Sequence, residues 1–371
     1  MASVSRPDWA GRLRRVQASL RVDQTEALVV SDRINIFYLT GLSASAGLLV
    51  VTPADARLIV DGRYELVARQ AIDAGTIAPV TLEAFDRRYD VTLARVLGSL
   101  APARVGFEAA HVTVATLGAW QRAAAGPEWV PTERVVERLR EIKDTWEIAT
   151  LRRGGALIGE VVARLPEFVR AGRTERSIAD SIDKAIRAVG FSRLAFDTIV
   201  ASGPNSAHPH AHPGDRILGM GDLVVLDFGG VLDGYCVDLT RMAAVGPISQ
   251  DAQALFDAVS AAHQAAVDSV RPAMPTWEVD RAARAVLEAR GLGDAFLHST
   301  GHGLGLEVHE APRVGRADPD APAVVEAGMV FTIEPGAYLE HVGGVRVEDD
   351  VLVTPTGAEL LTTAPRELLV I

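Results

Sequence analysis

Two domains, an α/β domain over residues 1–130 and an α+β domain over residues 131–371, are expected from three features of the chain. Its 371 residues exceed what one ordinary hydrophobic core organises. Short apolar runs alternate with helix-period stretches through the first third, the pattern of an α/β layer. In the remainder the order helix, helix, strands occurs twice, which suggests an internal duplication although the two blocks share no clear sequence repeat.

Residues 8–22 read as an amphipathic helix, because Trp9, Leu13, Val16 and Leu20 recur at steps of four, three and four. A short buried strand follows at 27–31. A hairpin is expected where GLLVVTP and ARLIVDG flank Pro53-Ala54-Asp55, then a helix over Glu65–Ile72. No cluster of ligand-type side chains lies in this region, where His111 stands alone. A break at Ala125-Gly126-Pro127 precedes the charged run Glu133–Lys143. Residues 133–170 read largely as helix with a turn near Asp144, the charge-rich part being a solvated face and connector. Thr174–Val189 is a second helix with Ile178, Ile182 and Ile186 in one stripe. Strands are expected in AFDTIVAS, DLVVLDFGG and VDLTRMAAV, helices over 250–270 and 277–290, and strands again in AGMVFTIEP and GGVRVEDDVLV.

Composition narrows the function. An apolar content of 48% with 23% charged residues describes a soluble globular protein. A net charge of −11 without a long basic stripe argues against nucleic acid as a partner. No apolar run reaches membrane-spanning length, and no signal-peptide apolar stretch opens the chain. The single cysteine, Cys236, sits in an apolar run and reads as a small core residue, which fits a reducing, cytoplasmic setting.

Five metal-type ligands then stand out in short motifs: Asp227 in VVLDFGG, Asp238 in GYCVDLTR, His302 in HSTGHGLGLEVHE, Glu334 in TIEPG and Glu348 in GGVRVED. Four carboxylates and one imidazole suit two divalent cations that share carboxylates, and four charges of each sign leave the site nearly neutral. Oxygen-rich ligation without thiolate favours manganese over a structural zinc. A turn at Val231-Leu232-Asp233-Gly234 would set Asp227 and Asp238 nearly opposite each other on neighbouring strands. Asp227 interrupts a solid apolar run, where a lone carboxylate is costly. The competing reading makes one of them an edge aspartate in a turn and gives the other a salt bridge to Arg241. Glycines flank His302 and let the backbone approach closely. Glu334 ends a strand before Pro335-Gly336. Alternation puts Arg346 and Glu348 on one face and Val345 and Val347 on the other, where a surface ion pair is the simpler alternative. His208, His210 and His212 alternate with alanine and proline and would lie on an extended loop; His298 reads as a pocket-wall candidate or a core histidine.

These motifs resemble the pita-bread metallopeptidases, the family of aminopeptidase P, prolidase and methionine aminopeptidase. The likeness covers about residues 140–371, while 1–130 resembles the amino-terminal domain of the aminopeptidase P and prolidase branch. It implies a pita-bread catalytic domain with pseudo-twofold duplication. It further implies that Asp227, Asp238, His302, Glu334 and Glu348 hold two divalent metal ions, manganese first and cobalt or zinc as alternatives. By the same likeness Glu334 is the general base, His210 the catalytic histidine and His309 a second, substrate-contacting one. Phe196 falls at the wall receiving the amino-terminal side chain, and Arg313 where prolidases hold the free carboxylate of an Xaa-Pro dipeptide. His298 and Arg346 complete the substrate-binding candidates. The implied activity is release of the residue preceding proline from short proline-containing peptides. The implied assembly is a homodimer whose amino-terminal domain helps close the site. Dipeptides or longer chains remain open as substrates. Creatinase-like C–N hydrolysis and a metal-free binding protein remain open as alternatives.

Overall fold

In the computed structural model, which describes residues 6–21, 24–320 and 322–371, the chain divides between Arg140 and Glu141. This lies ten residues beyond the expected border at 130/131. The reason is local: strand Glu128–Thr132 pairs in parallel with Arg104–Glu108 and therefore completes the amino-terminal sheet. Helix Val135–Glu141 follows it, and Arg140 donates to Asn35 at 2.9 Å.

The amino-terminal unit is a six-stranded sheet in the order Thr81–Leu82, Ala56–Ile59, Leu48–Val51, Ala27–Val30, Arg104–Glu108, Glu128–Thr132. Its hairpin pairs Leu48–Val51 with Ala56–Ile59, as expected. The first helix spans Trp9–Ser19 and buries Leu13 and Val16; its expected end at residue 22 lies outside the described residues. His111 is exposed.

The carboxy-terminal unit contains two five-stranded sheets and a two-stranded ribbon, with helices behind each five-stranded sheet. In the first half, helices Thr145–Ala163 and Glu175–Ala188 pack on strands Leu223–Leu232 and Tyr235–Ala244. Ile178, Ile182 and Ile186 are fully buried there. In the second half, helices Gln250–Ser269 and Thr276–Glu288 pack on strands Val330–Ile333 and Asp349–Thr354 and on the ribbon. The duplicated α+β arrangement is thus present. Strand Leu223–Leu232 serves both cores: Val224, Leu226 and Phe228 face the first pair of helices, and Leu223 and Val225 join the second core. By alternation Asp227 shares the second face.

Four expectations need correction. The helix over 133–170 turns at Asp144 as expected, where Asp144 caps Thr145–Ala163 with Glu147 in a capping box, but it breaks a second time at Arg164, before a short helix with Pro166 in its first turn. Its charged face is not simply solvated. Lys143 is buried against Glu310 at 3.0 Å, and buried Glu147 accepts from the Tyr235 hydroxyl at 2.8 Å. The strand expected over 195–202 begins only at Ile199. Last, GGVRVEDDVLV forms two strands: Gly343–Arg346 pairs with Gly336–Leu339, and Asp349–Thr354 pairs with Val330–Ile333. Both segments leave one sheet for the other at the same level, and Glu334 and Glu348 occupy these crossings. No helix among the described residues is long and apolar enough to cross a membrane.

Candidate metal centre

The two aspartates come from one hairpin. Asp233 and Gly234 adopt φ of 51° and 93°, the left-handed pair that a two-residue turn between twisted strands requires. The register is then fixed by the turn: Asp227 faces Thr240, and Asp238 faces Gly229. The aspartates are therefore diagonal neighbours on one face, two residues from being directly opposite. Arg241 does not pair with Asp238. Its guanidinium is buried against Asp349 at 2.7 Å and against the Glu348 carbonyl at 2.6 Å.

His302 lies on the short strand Gly301–Gly303, paired with Val330–Ile333 through Gly303. A Cβ on Gly301 would meet the Thr332 carbonyl, so only glycine permits this approach. The ring Nδ1 faces the Gly303 carbonyl at 3.1 Å, which turns Nε2 toward Glu334 at 3.3 Å and Asp238 at 3.9 Å. Burial, reinforced by neighbouring His309, pushes the imidazole down to about 4. A neutral ring with its free lone pair at Nε2 is the ligating form.

Asp238, His302 and Glu348 each offer an atom within 4.8 Å of the others. Glu334 joins them at its sheet crossing, its backbone N–H donating to the Thr300 carbonyl at 2.7 Å. Burial pushes its carboxyl up to about 8. Burial first, then neighbouring carboxylates, also raises Asp238 and Glu348 well above the usual carboxylate range. Glu348 accepts from the Thr240 hydroxyl at 2.6 Å. One oxygen of Asp227 pairs with Arg346, while Asp227 Oδ1 and Asp238 Oδ1 are buried with no hydrogen-bond partner among the described residues. Orphaned carboxylate oxygens beside a neutral imidazole are what a cation site of hard and borderline donors offers. The residues present fit divalent metal.

All eleven side chains singled out from the sequence line one cavity of about 480 Å³. The five ligand candidates sit together, with His309 against His302 at a ring separation of 4.2 Å. His210 and Phe196 form another part of the wall, Phe196 lying over Gly229, which has no side chain to block it. His298 is a wall residue with both nitrogens engaged, 2.9 Å from the Ser299 carbonyl and 2.9 Å from the Tyr338 hydroxyl; burial pushes it down to about 4. Arg313 is exposed, donates to Ser299 at 2.9 Å, and has no carboxylate partner among the described residues. The surface pairing with Glu310 or Asp318 is not formed, since Glu310 holds Lys143.

Arg346 lines the cavity but is buried, with its guanidinium held by the protein: Nη2 to Asp227, Nη1 to Tyr338 at 2.8 Å, Nε to Thr240 at 3.2 Å. The surface ion pair with Glu348 is absent among the described residues. His208 does not reach the cavity, but His212 does. Asp197 also lines it, directly after Phe196. Sequence alone does not single out Thr240 and Tyr338: the Thr240 hydroxyl joins Glu348 to Arg346, and the Tyr338 hydroxyl joins Arg346 to His298. Thr240 was legible in principle, because it stands two residues after Asp238 and so shares its face.

Comparison with known proteins identifies the family. The family model described as metallopeptidase family M24 matches residues 149–355, and the creatinase/prolidase N-terminal domain matches residues 12–142. The chain is 32% identical to the Xaa-Pro dipeptidase of Pyrococcus furiosus over 359 residues, covering 96% of this chain and 99% of that protein. The structure is similar to that of an Xaa-Pro dipeptidase from Bacillus anthracis, with a TM-score of 0.92 at 31% identity over 98% of this chain and all of the other. It is also similar to the X-Pro aminopeptidase of Thermotoga maritima, with a TM-score of 0.87 at 29% identity over 95% of this chain and all of that one.

Proposed function

Since the chain belongs to metallopeptidase family M24, we propose that it is a dinuclear-metal exopeptidase that hydrolyses the Xaa-Pro bond at the amino terminus of short peptides. One observation carries the reading: four carboxylates and a neutral histidine converge on one cavity, with two buried carboxylate oxygens left without partners. Asp227, Asp238, His302, Glu334 and Glu348 would hold the metal. Divalent cations bound there supply Lewis acidity, making water more acidic and a carbonyl more electrophilic. Manganese is the proposed metal because oxygen donors dominate the set.

The protein's own groups supply the rest. Glu334 faces the cavity and takes the proton of the attacking water. His210 and His309 line the same space and donate to the oxygen on which charge develops. Phe196 receives the first side chain. The Arg313 guanidinium, with no carboxylate partner among the described residues, matches the two oxygens of a free proline carboxylate and favours dipeptides. A homodimer and a cytoplasmic setting, the latter consistent with the free buried Cys236, complete the proposal.

A panel of Xaa-Pro and Xaa-Pro-Yaa peptides with Xaa-Ala controls, read alongside metal content, tests it. Two divalent ions per chain and selective cleavage before proline are expected. Full activity in the metal-stripped protein, or C–N hydrolysis of a creatine-type substrate instead, would sink the reading.

A further inference from the structure

Two buried carboxylates that do not line the cavity grip two of its histidine-bearing segments in the same way. Glu175 is the first residue of helix Glu175–Ala188 and is fully buried. Its Oε1 accepts from both the N–H and the hydroxyl of Ser202, at 2.7 and 2.8 Å. The Asn205 amide donates to both of its oxygens at 3.1 Å, and the Gly214 N–H donates to Oε2 at 3.1 Å. One carboxylate therefore ties together both ends of the loop that presents His210.

Asp280, on helix Thr276–Glu288, is 1% exposed. Its Oδ1 accepts from both the N–H and the hydroxyl of Thr300, at 3.1 and 2.9 Å. Its other oxygen accepts from Arg284 at 2.6 Å, and Arg284 in turn donates to the His298 carbonyl at 2.6 Å. The segment that presents His298 is thus fastened to a helix of the second half, as the His210 loop is fastened to a helix of the first. In each case a hydroxyl residue offers its N–H and O–H to one carboxylate oxygen.

These carboxylates are satisfied by protein donors, unlike Asp227 and Asp238, so no cation is needed to explain their burial. The donors also explain the residue type. A carboxylate only accepts, whereas an amide would turn an NH₂ group toward N–H donors on one side. Charge-assisted bonds of this kind are stronger than neutral ones and hold a loop more tightly.

We propose that Glu175 and Asp280 are a matched pair of positioning residues, Glu175 acting through His210 and Asp280 through His298. The proposal rests on the reading of those histidines as substrate-facing groups. The test is a set of double-mutant cycles on the metal-loaded enzyme, with kcat/KM on an Xaa-Pro dipeptide and metal content measured together. Glu175→Gln should lower kcat/KM roughly tenfold with metal retained, in the range of lost outer-shell partners. In a His210→Ala background the same change should cost less than about twofold, and in a His298→Ala background the full loss should return. Asp280→Asn should show the mirror pattern. If a buried substitution prevents folding, Asn205→Ala and Thr300→Val loosen each grip from the loop side and enter the same cycles. Additive losses in every background, a silent Glu175→Gln, or loss of metal in proportion to activity would overturn the pairing. A silent His210→Ala would instead sink the assignment of that histidine, and with it Glu175's route, which separates the two failures.

Discussion

His210 lines the cavity and His208, two positions earlier, does not, although both lie on one proline-rich loop. His210→Ala should therefore lower turnover by roughly 10²–10⁴, the range for a positioned acid–base or hydrogen-bonding group, while His208→Ala leaves it nearly unchanged. Steady-state kinetics on one dipeptide decides this; equal losses in both variants would count against the choice. Arg313 offers a second contrast. Arg313→Ala should raise KM for an Xaa-Pro dipeptide far more than for an Xaa-Pro-Yaa tripeptide, because only the dipeptide presents its carboxylate at that distance. Parallel changes in both substrates would remove Arg313 as the anchor. The ligand-type residues were legible from their settings: Asp227 interrupts an apolar run, glycines flank His302, Glu334 ends a strand before Pro335-Gly336, and Glu348 alternates with valines. Lys143 and Glu147 were not, because their partners lie 167 and 88 residues away, and a charged helix looks the same whether it meets water or a buried partner.

The hairpin that carries Asp227 and Asp238 turns on Asp233 and Gly234, and its register decides which face both aspartates occupy. Gly234 has φ of 93°, so Gly234→Val should lower the melting temperature, the strain being on the order of 1–3 kcal/mol, with kcat and metal content retained. One alanine inserted between the two turn residues should do the opposite of a local effect. It shifts one strand by a residue, sends its side chains to the other face, and should abolish metal binding. Metal retained after the insertion would mean that the turn does not set the register. Alternation and turn residues made the hairpin readable, but not its offset. That depended on which two residues occupy the turn, a choice the four-residue signal left open. The split of GGVRVEDDVLV was also hidden, since both of its strands have the same apolar period while pairing with different partners.

At the scale of the molecule, the two-unit plan and the duplicated helix-and-sheet order were legible from length and block order. The border was not, because a parallel edge strand, Glu128–Thr132, gives no local mark of which sheet it joins. The proposed ligand set draws Asp227 and Asp238 from the first half of the carboxy-terminal unit, and His302, Glu334 and Glu348 from the second. This division has a kinetic consequence. No ligand pair spanning the halves exists until distant strands have met, and such long-range pairings form late along the folding path. Metal should therefore leave the refolding rate almost untouched and slow unfolding, since it binds contacts absent from the transition state. Stopped-flow refolding and unfolding with manganese or with chelator would read the two arms separately. A refolding rate that climbs with manganese concentration would mean that the ion gathers the halves instead of arriving after them.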